Sequence, residues 1–295
     1  MERPQGIVDF EPSREHFPFG SRWLSSSVGP VHYIGEGAGP PLLLLHGNPD
    51  WSFLYRKIML GLRSRFRCIA VDYPGFGLSV HPENHRYTPA EHAVVVRELI
   101  EDLDLGDLVV MGQDWGGPIG MDAASRMPER IRGLVMGNTW FWPSDSPKMN
   151  LFSRIMGSSP IQSLILNRNF FVSPLMKRTL QAELTDTEFR HYLEVVPTPE
   201  HRKGIAVFPK EIRASGPWLA EVEKRTLAAL ASKPILLVWG MKDFAFGRGR
   251  FLERWQESFP QATTVRLQGA AHYIREDAPD EIVAAIIDKY GGDVS

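Results

Sequence analysis

The sequence predicts an α/β protein, with a mostly parallel sheet flanked by helices and an inserted helical cap. Three observations carry this. Short continuous apolar runs at 41–45, 68–71, 108–111, 131–136 and 234–240 each lead into a loop of Gly, Asp, Asn or His. Unbroken apolarity over so few residues suits a strand buried on both faces, as in a parallel sheet. Helix-length stretches lie between most of these runs, the alternation that right-handed βαβ units require. That alternation stops between Trp140 and about residue 232, where helix formers, Pro and aromatics dominate and no buried-strand run occurs. The expected organisation is a core domain of residues 1–139 and 233–295, split by a cap of residues 140–232. Clefts between such parts commonly hold ligands.

Taken in order, the first 40 residues carry strand-like pieces such as Val31-His32-Tyr33-Ile34, divided by Gly and Pro, and read as an antiparallel entry to the sheet. The run at 41–45 ends at His46-Gly47-Asn48-Pro49, and residues 52–62 look helical. The strand at 68–71 ends in the turn-rich loop Asp72-Tyr73-Pro74-Gly75-Phe76-Gly77-Leu78-Ser79. Thr88-Pro89-Ala90-Glu91 starts a helix running to about residue 103, with Thr as N-cap, Pro at N1 and Glu at N3. The strand at 108–111 leads through a Gly-rich turn into a helix that runs to Met127, before Pro128, and the strand at 131–136 follows. After the cap come the strand at 234–240, a helix at 251–259, a strand at 263–267 and a closing helix at 280–289.

Composition narrows the function classes. The chain has 295 residues, 43% hydrophobic and 23% charged, ordinary for a globular protein with a sizeable core. A net charge of −2 gives no electrostatic footprint for nucleic acid or an anionic membrane. The single cysteine, Cys68, excludes an intramolecular disulfide and fits a reducing, cytoplasmic setting. The start Met1-Glu2-Arg3-Pro4-Gln5-Gly6 lacks a basic region followed by an apolar stretch, so no signal peptide is expected. No apolar run approaches the roughly 18 residues of a membrane span.

The chemistry centres on Gly112-Gln113-Asp114-Trp115-Gly116. Its small-x-nucleophile-x-small spacing is that of the nucleophile elbow, with Asp where hydrolases of the α/β class usually place Ser. The same residues also describe a tight strand–helix turn with an Asp at a helix N-terminus, where negative charge is favourable anyway. Partners discriminate between the two. A nucleophile needs a base, and the base an orienting acid. Of the later histidines, His191 and His201 sit among charged residues of the cap and read as surface positions. His272 follows the last strand in Gly269-Ala270-Ala271-His272, where the α/β-hydrolase fold places its catalytic histidine. Asp243 lies just past the strand at 234–240, Asn138 occupies the alternative acid slot and cannot take the charge, and Asp145 is the runner-up. The amides of Asn48 and Trp115 would form the oxyanion hole. The Asn48 NH₂ and the Trp115 indole N–H are two neutral donors beside a carboxylate nucleophile, which is what release of a halide from carbon requires. His81 and His85 are four apart, but Pro82 between them argues against a metal site.

His46-Gly47-Asn48-Pro49-Asp50, the 72–79 loop, Gly112-Gln113-Asp114-Trp115-Gly116-Gly117-Pro118 and His272-Tyr273-Ile274-Arg275-Glu276-Asp277-Ala278-Pro279 resemble the motifs of haloalkane dehalogenases, over essentially the whole chain and least in the cap. The resemblance implies the subgroup with an Asp acid, Asp243, and an Asn–Trp halide pair, Asn48 and Trp115. Trp142 and Trp218 are further candidates for the pocket. It implies an uncharged haloalkane and water as substrates, halide as product, and no cofactor or metal. The closest rival is an epoxide hydrolase, which supplies two cap tyrosines, whereas residues 140–232 contain only Tyr192. Fluoroacetate dehalogenases place Arg where Trp115 stands. A non-catalytic binding protein of the same fold is the reading from another class, and such proteins often lack a triad member.

Overall fold

A computed structural model describes residues 3–247 and 250–291; Met1 and Glu2 of the N-terminal reading and the last four residues of the core domain lie outside it. One eight-stranded sheet organises the chain, in the order β1-β2-β4-β3-β5-β6-β7-β8. The strands are β1 (Ser21–Ser26), β2 (Gly29–Glu36), β3 (Pro41–Leu45), β4 (Arg67–Val71), β5 (Leu108–Gln113), β6 (Ile131–Gly137), β7 (Ile235–Gly240) and β8 (Thr263–Leu267). β1–β2 and β2–β4 are antiparallel and every other neighbour is parallel. β3 and β5 are central, and Leu42 to Leu45 and Leu108 to Met111 are fully buried. This is why their apolarity is continuous rather than alternating.

The helices of the core are α1 (Arg56–Leu62), α2 (Pro89–Asp102) and α3 (Gly116–Arg126) before the cap. The intervening segment carries α4 (Pro147–Met156), α5 (Ser159–Arg168), a π-helical turn at Phe171–Met176, α6 (Lys177–Thr179), α7 (Asp186–Glu194), α8 (Lys203–Ala214) and α9 (Gly216–Ala229). α10 (Phe251–Ser258), α11 (Ile274–Asp277) and α12 (Pro279–Tyr290) complete the chain. The α2 start is a full capping box: Thr88 Oγ1 accepts from the Glu91 N–H and a Glu91 carboxylate oxygen accepts from the Thr88 N–H. The segment read as helix at 52–62 is a 3₁₀ turn over Ser52–Tyr55 that continues as α1. α9 packs along α3 on the sheet face, while α4 packs on α8 away from it.

Arg56 donates to Glu276 and to Glu188 of α7 (2.7 Å), and Tyr192 donates to Glu276 (2.6 Å), so a buried cluster fastens the inserted segment to the core. Cys68 lies fully buried in β4, and burial pushes its thiol up to about 12. Among the described residues, no helix is long and apolar enough to cross a membrane.

Candidate active site

Asp114 follows the last residue of β5 and adopts a left-handed backbone, φ 52°. An Asp tolerates this region better than most residues, but it persists only where the surroundings enforce it. They do so here. The Asp114 N–H donates to the Asn138 carbonyl (3.2 Å), and the Thr139 hydroxyl donates to the Asp114 carbonyl (2.6 Å). The two elbow glycines are required for space. A Cβ on Gly112 would strike the Gly116 carbonyl, and one on Gly116 the Leu45 carbonyl. The Asp114 carboxyl is thereby turned into a cavity of about 180 Å³.

The Asn48 N–H donates to Asp114 Oδ1 (2.9 Å), and the Trp115 N–H also supports the carboxylate. Burial nevertheless raises the Asp114 pKa, outweighing His272 and these two amides. His272 Nε2 stands 4.0 Å from Asp114 Oδ2. On its other side, His272 Nδ1–H donates to Asp243 Oδ2 (2.9 Å). Asp243 Oδ1 accepts from the Ala245 N–H (2.7 Å) and the Phe246 N–H (3.3 Å). Burial works to raise the Asp243 pKa, but the charge and hydrogen bond of His272, with Ala245 and Asn138, lower it overall. Burial also pushes His272 down; the Asp243 charge and hydrogen bond, then Asp114 and Asp50, outweigh it and hold the imidazole up at about 9.

The rest of the lining is mostly apolar, with Lys148 and Thr179 among its polar side chains. Met149 and Phe152 of α4, Phe171 and Leu175 of the π turn, and Pro209 and Ile212 of α8 form one wall. Asn48, Asp114, Trp115, His272, Phe246 and Tyr273 contribute from the other side. The Trp115 ring stacks on Phe208 (centroids 5.4 Å, 18°) and meets Trp140 edge-on (4.8 Å). Asn48 Nδ2 donates to the Ile205 carbonyl of α8 (3.3 Å). That bond uses one of its two protons and leaves the other for the cavity.

A carboxylate with a His–Asp pair behind it and two backbone amides on it can form and cleave a covalent ester. Comparisons with known proteins extend this. Residues 40–279 match the family model of the alpha/beta hydrolase fold. The chain is 49% identical over 284 residues to "Haloalkane dehalogenase 2" of Mycobacterium tuberculosis, covering 96% of this chain and 99% of the relative. The chain belongs to the haloalkane dehalogenase family. Among solved structures it is similar to an ancestral haloalkane dehalogenase, AncHLD2, with a TM-score of 0.81 and 28% identity, covering 90% of this chain and 97% of that one. It is also 31% identical to a cis-3-alkyl-4-alkyloxetan-2-one decarboxylase of Shewanella oneidensis, covering 91% of this chain and 87% of the relative.

Set against what haloalkane dehalogenase motifs imply, the structure brings Asp114, His272, Asp243, Asn48 and Trp115 together around one cavity. Trp142 and Trp218 are absent from its lining. Trp142 is buried against Phe141 and Trp255, and Trp218 is half-buried on α9. The surface reading of His191 is corrected. Its ring stacks on Phe53 (4.3 Å, 9°), Nε2 accepts from the Ser13 N–H (3.0 Å), and Nδ1–H donates to the Thr187 carbonyl (2.7 Å). An aromatic platform from a distant segment made it a core residue. His201 is half-buried, edge-on to His81 (4.5 Å).

Sequence reasoning left Asn138 only as an empty acid slot. In the structure Asn138 Nδ2 donates to Asp243 Oδ2 (2.9 Å) and to the Gly240 carbonyl (3.0 Å), and Oδ1 accepts from the Gly240 N–H (2.7 Å). With its carbonyl on the Asp114 N–H, Asn138 braces both Asp114 and Asp243. Its position at the end of a buried strand was the available signal. Asp50, the last residue of the His46–Asp50 motif, was given no role of its own. It is buried, 3.8 Å from Arg275, and burial pushes its carboxyl up to about 7 against Arg275 and His272.

Proposed function

We propose that this protein hydrolyses carbon–halogen bonds of uncharged haloalkanes through an alkyl ester on Asp114, giving alcohol, halide and a proton. Asp114 Oδ2 attacks the halogen-bearing carbon as the halide departs toward the Trp115 indole N–H and the free Asn48 N–H. His272 then takes a proton from water, which adds to the ester carbonyl carbon. The Asn48 and Trp115 amides receive the oxyanion, and Asp243 orients His272 and supports its cationic form. The observation that carries this reading is the Asp114 carboxylate facing an apolar cavity with Asn48 and Trp115 beside it. A largely apolar wall suits an alkyl chain, and the lysine on the lining, Lys148, is engaged by the Phe244 carbonyl and ring. Residues 140–232 are proposed as the cap and the remainder as the core domain, with a cytoplasmic location supported by the lone sealed thiol.

Against an epoxide hydrolase stands Tyr192, which is spent on Glu276 and does not line the cavity; the one tyrosine that does, Tyr273, comes from the core. The test is His272→Phe incubated with 1-bromobutane. Halide should be released once per site, and intact-mass analysis should show a butyl adduct on Asp114. Substrate turnover by the parent without any adduct in the variant sinks the covalent route. Parallel assays separate the rivals: diol from styrene oxide marks an epoxide hydrolase, and alkene with CO₂ from a cis-dialkyl oxetan-2-one marks a decarboxylase. Activity retained in Asp114→Ala would remove Asp114 as nucleophile, and a parent inert to every substrate would favour the binding-protein reading.

A further inference from the structure

Gln113 is the chain neighbour of Asp114 and fully buried, yet it does not line the cavity. Its Nε2 donates to the main-chain carbonyl of His272 (2.7 Å), and its Oε1 accepts from the Arg275 guanidinium. Arginine has only donors. A flipped Gln113 amide would set N–H against N–H at Arg275 and oxygen against oxygen at His272. Arg275 therefore permits one amide orientation, the one that holds the His272 carbonyl. Arg275 is itself fixed: it is fully buried, donates to the Tyr55 hydroxyl (2.9 Å), lies over the Tyr55 ring (4.7 Å) and sits 3.8 Å from Asp50.

The other ties on this loop run elsewhere. The Ala270 carbonyl accepts from the Lys242 N–H (2.9 Å), the Ala271 N–H donates to Asp277 (2.8 Å), and the His272 ring goes to Asp243. Among the described residues, the Gln113 bond is the hydrogen bond that couples the His272 loop to the strand carrying the nucleophile. We propose that Gln113 is a positioning residue for His272, locked by Arg275, and that the ester-hydrolysis half of turnover depends on it. This rests on the reading of His272 as the base for that half. Attack by Asp114 on the alkyl halide makes a C–O bond and breaks the C–halogen bond without a proton transfer, so it does not need His272 in place. Hydrolysis does, because water must lie between His272 Nε2 and the ester carbon, and a misplacement of about 1 Å can cost on the order of a hundredfold.

The experiment is pre-steady-state halide release and quench-flow mass analysis with 1-bromobutane on Gln113→Leu and Gln113→Glu. The first deletes both hydrogen bonds at similar volume. The second keeps an acceptor for Arg275 and puts an oxygen against the His272 carbonyl. Both should show a burst of about one halide per site at close to the parental rate, followed by ester decay about 10- to 100-fold slower. A general loosening of the fold would instead lower burst amplitude and rate together, and that result, or unchanged ester decay in a folded variant, overturns the proposal. Should Gln113→Leu not fold, the near-isosteric Gln113→Glu decides it alone. His272→Phe is run alongside. If it fails to trap ester, the reading of His272 has failed; if it traps ester while both Gln113 variants hydrolyse normally, only the role of Gln113 has.

Discussion

At the scale of single residues, the charge on His272 sets a pH dependence that differs between the two halves of turnover. With Asp114 ionised, the imidazole is held at about 9, so it is protonated at neutral pH and cannot accept a proton. Alkylation removes the Asp114 charge, one of the groups holding that value up, and so lowers it toward working pH. Ester decay should therefore rise between about pH 6 and 9 and level off, while the initial halide burst stays flat there, read by quench-flow across pH. Stability runs the other way. A histidine raised in the folded state contributes fully below its unfolded value, near 6.5, and loses that contribution as pH rises through about 9. The melting temperature of the parent should fall across that window more than that of Asp243→Asn. Much of the site was legible because its residue types stand at strand ends: Asp114, Asp243 and His272 each follow a buried run. Gln113, Asn138 and Asp50 were not, since their side-chain partners lie in distant stretches of the chain, and no local pattern announces such a partner.

At the scale of elements, the elbow is packed so closely that neither of its glycines has room for a Cβ. Gly116→Ala puts a methyl on the Leu45 carbonyl, where only backbone can give way. It should destabilise the protein by about 2 kcal/mol or more in urea unfolding, and reduce the halide burst as Asp114 is displaced. The central strands were readable because burial on both faces writes itself as unbroken apolarity, and α2 because its cap is chemically complete. The π turn at Phe171–Met176 was not readable. It contains Pro174, and its wider hydrogen-bond register is a response to packing rather than to a local motif. It nonetheless supplies Phe171 and Leu175 to the cavity wall, so part of the substrate surface was hidden from the sequence. α11 is a single turn whose four residues offered no period to detect.

At the scale of the whole molecule, the inserted segment is held to the core by charge as well as by apolar contact. Arg56 is buried between Glu188 of α7 and Glu276 of α11, with Tyr192 on the same carboxylate and Lys57 2.9 Å away. Arg56→Met would leave the buried Glu276 with Lys57 as its cation. Removing one partner of such a cluster costs about 3–5 kcal/mol, so equilibrium unfolding should register a loss of that size, with hydrogen exchange rising first in α7. A second anchor is Asp122 of α3, which takes Arg97 of α2, Arg126 of α3 and Arg225 of α9. Neither cluster was foreseen, because each gathers its members from three separate stretches. The lone thiol bears on the same chemistry. Haloalkanes are electrophiles, and the most reactive soft nucleophile a protein owns is a thiolate. Cys68 is walled into β4 with its thiol held near 12, so it remains protonated and out of reach. On the mechanism proposed above, an alkylating agent is handled at a carboxylate that water can regenerate, while the sulfur is kept from a modification that water cannot reverse.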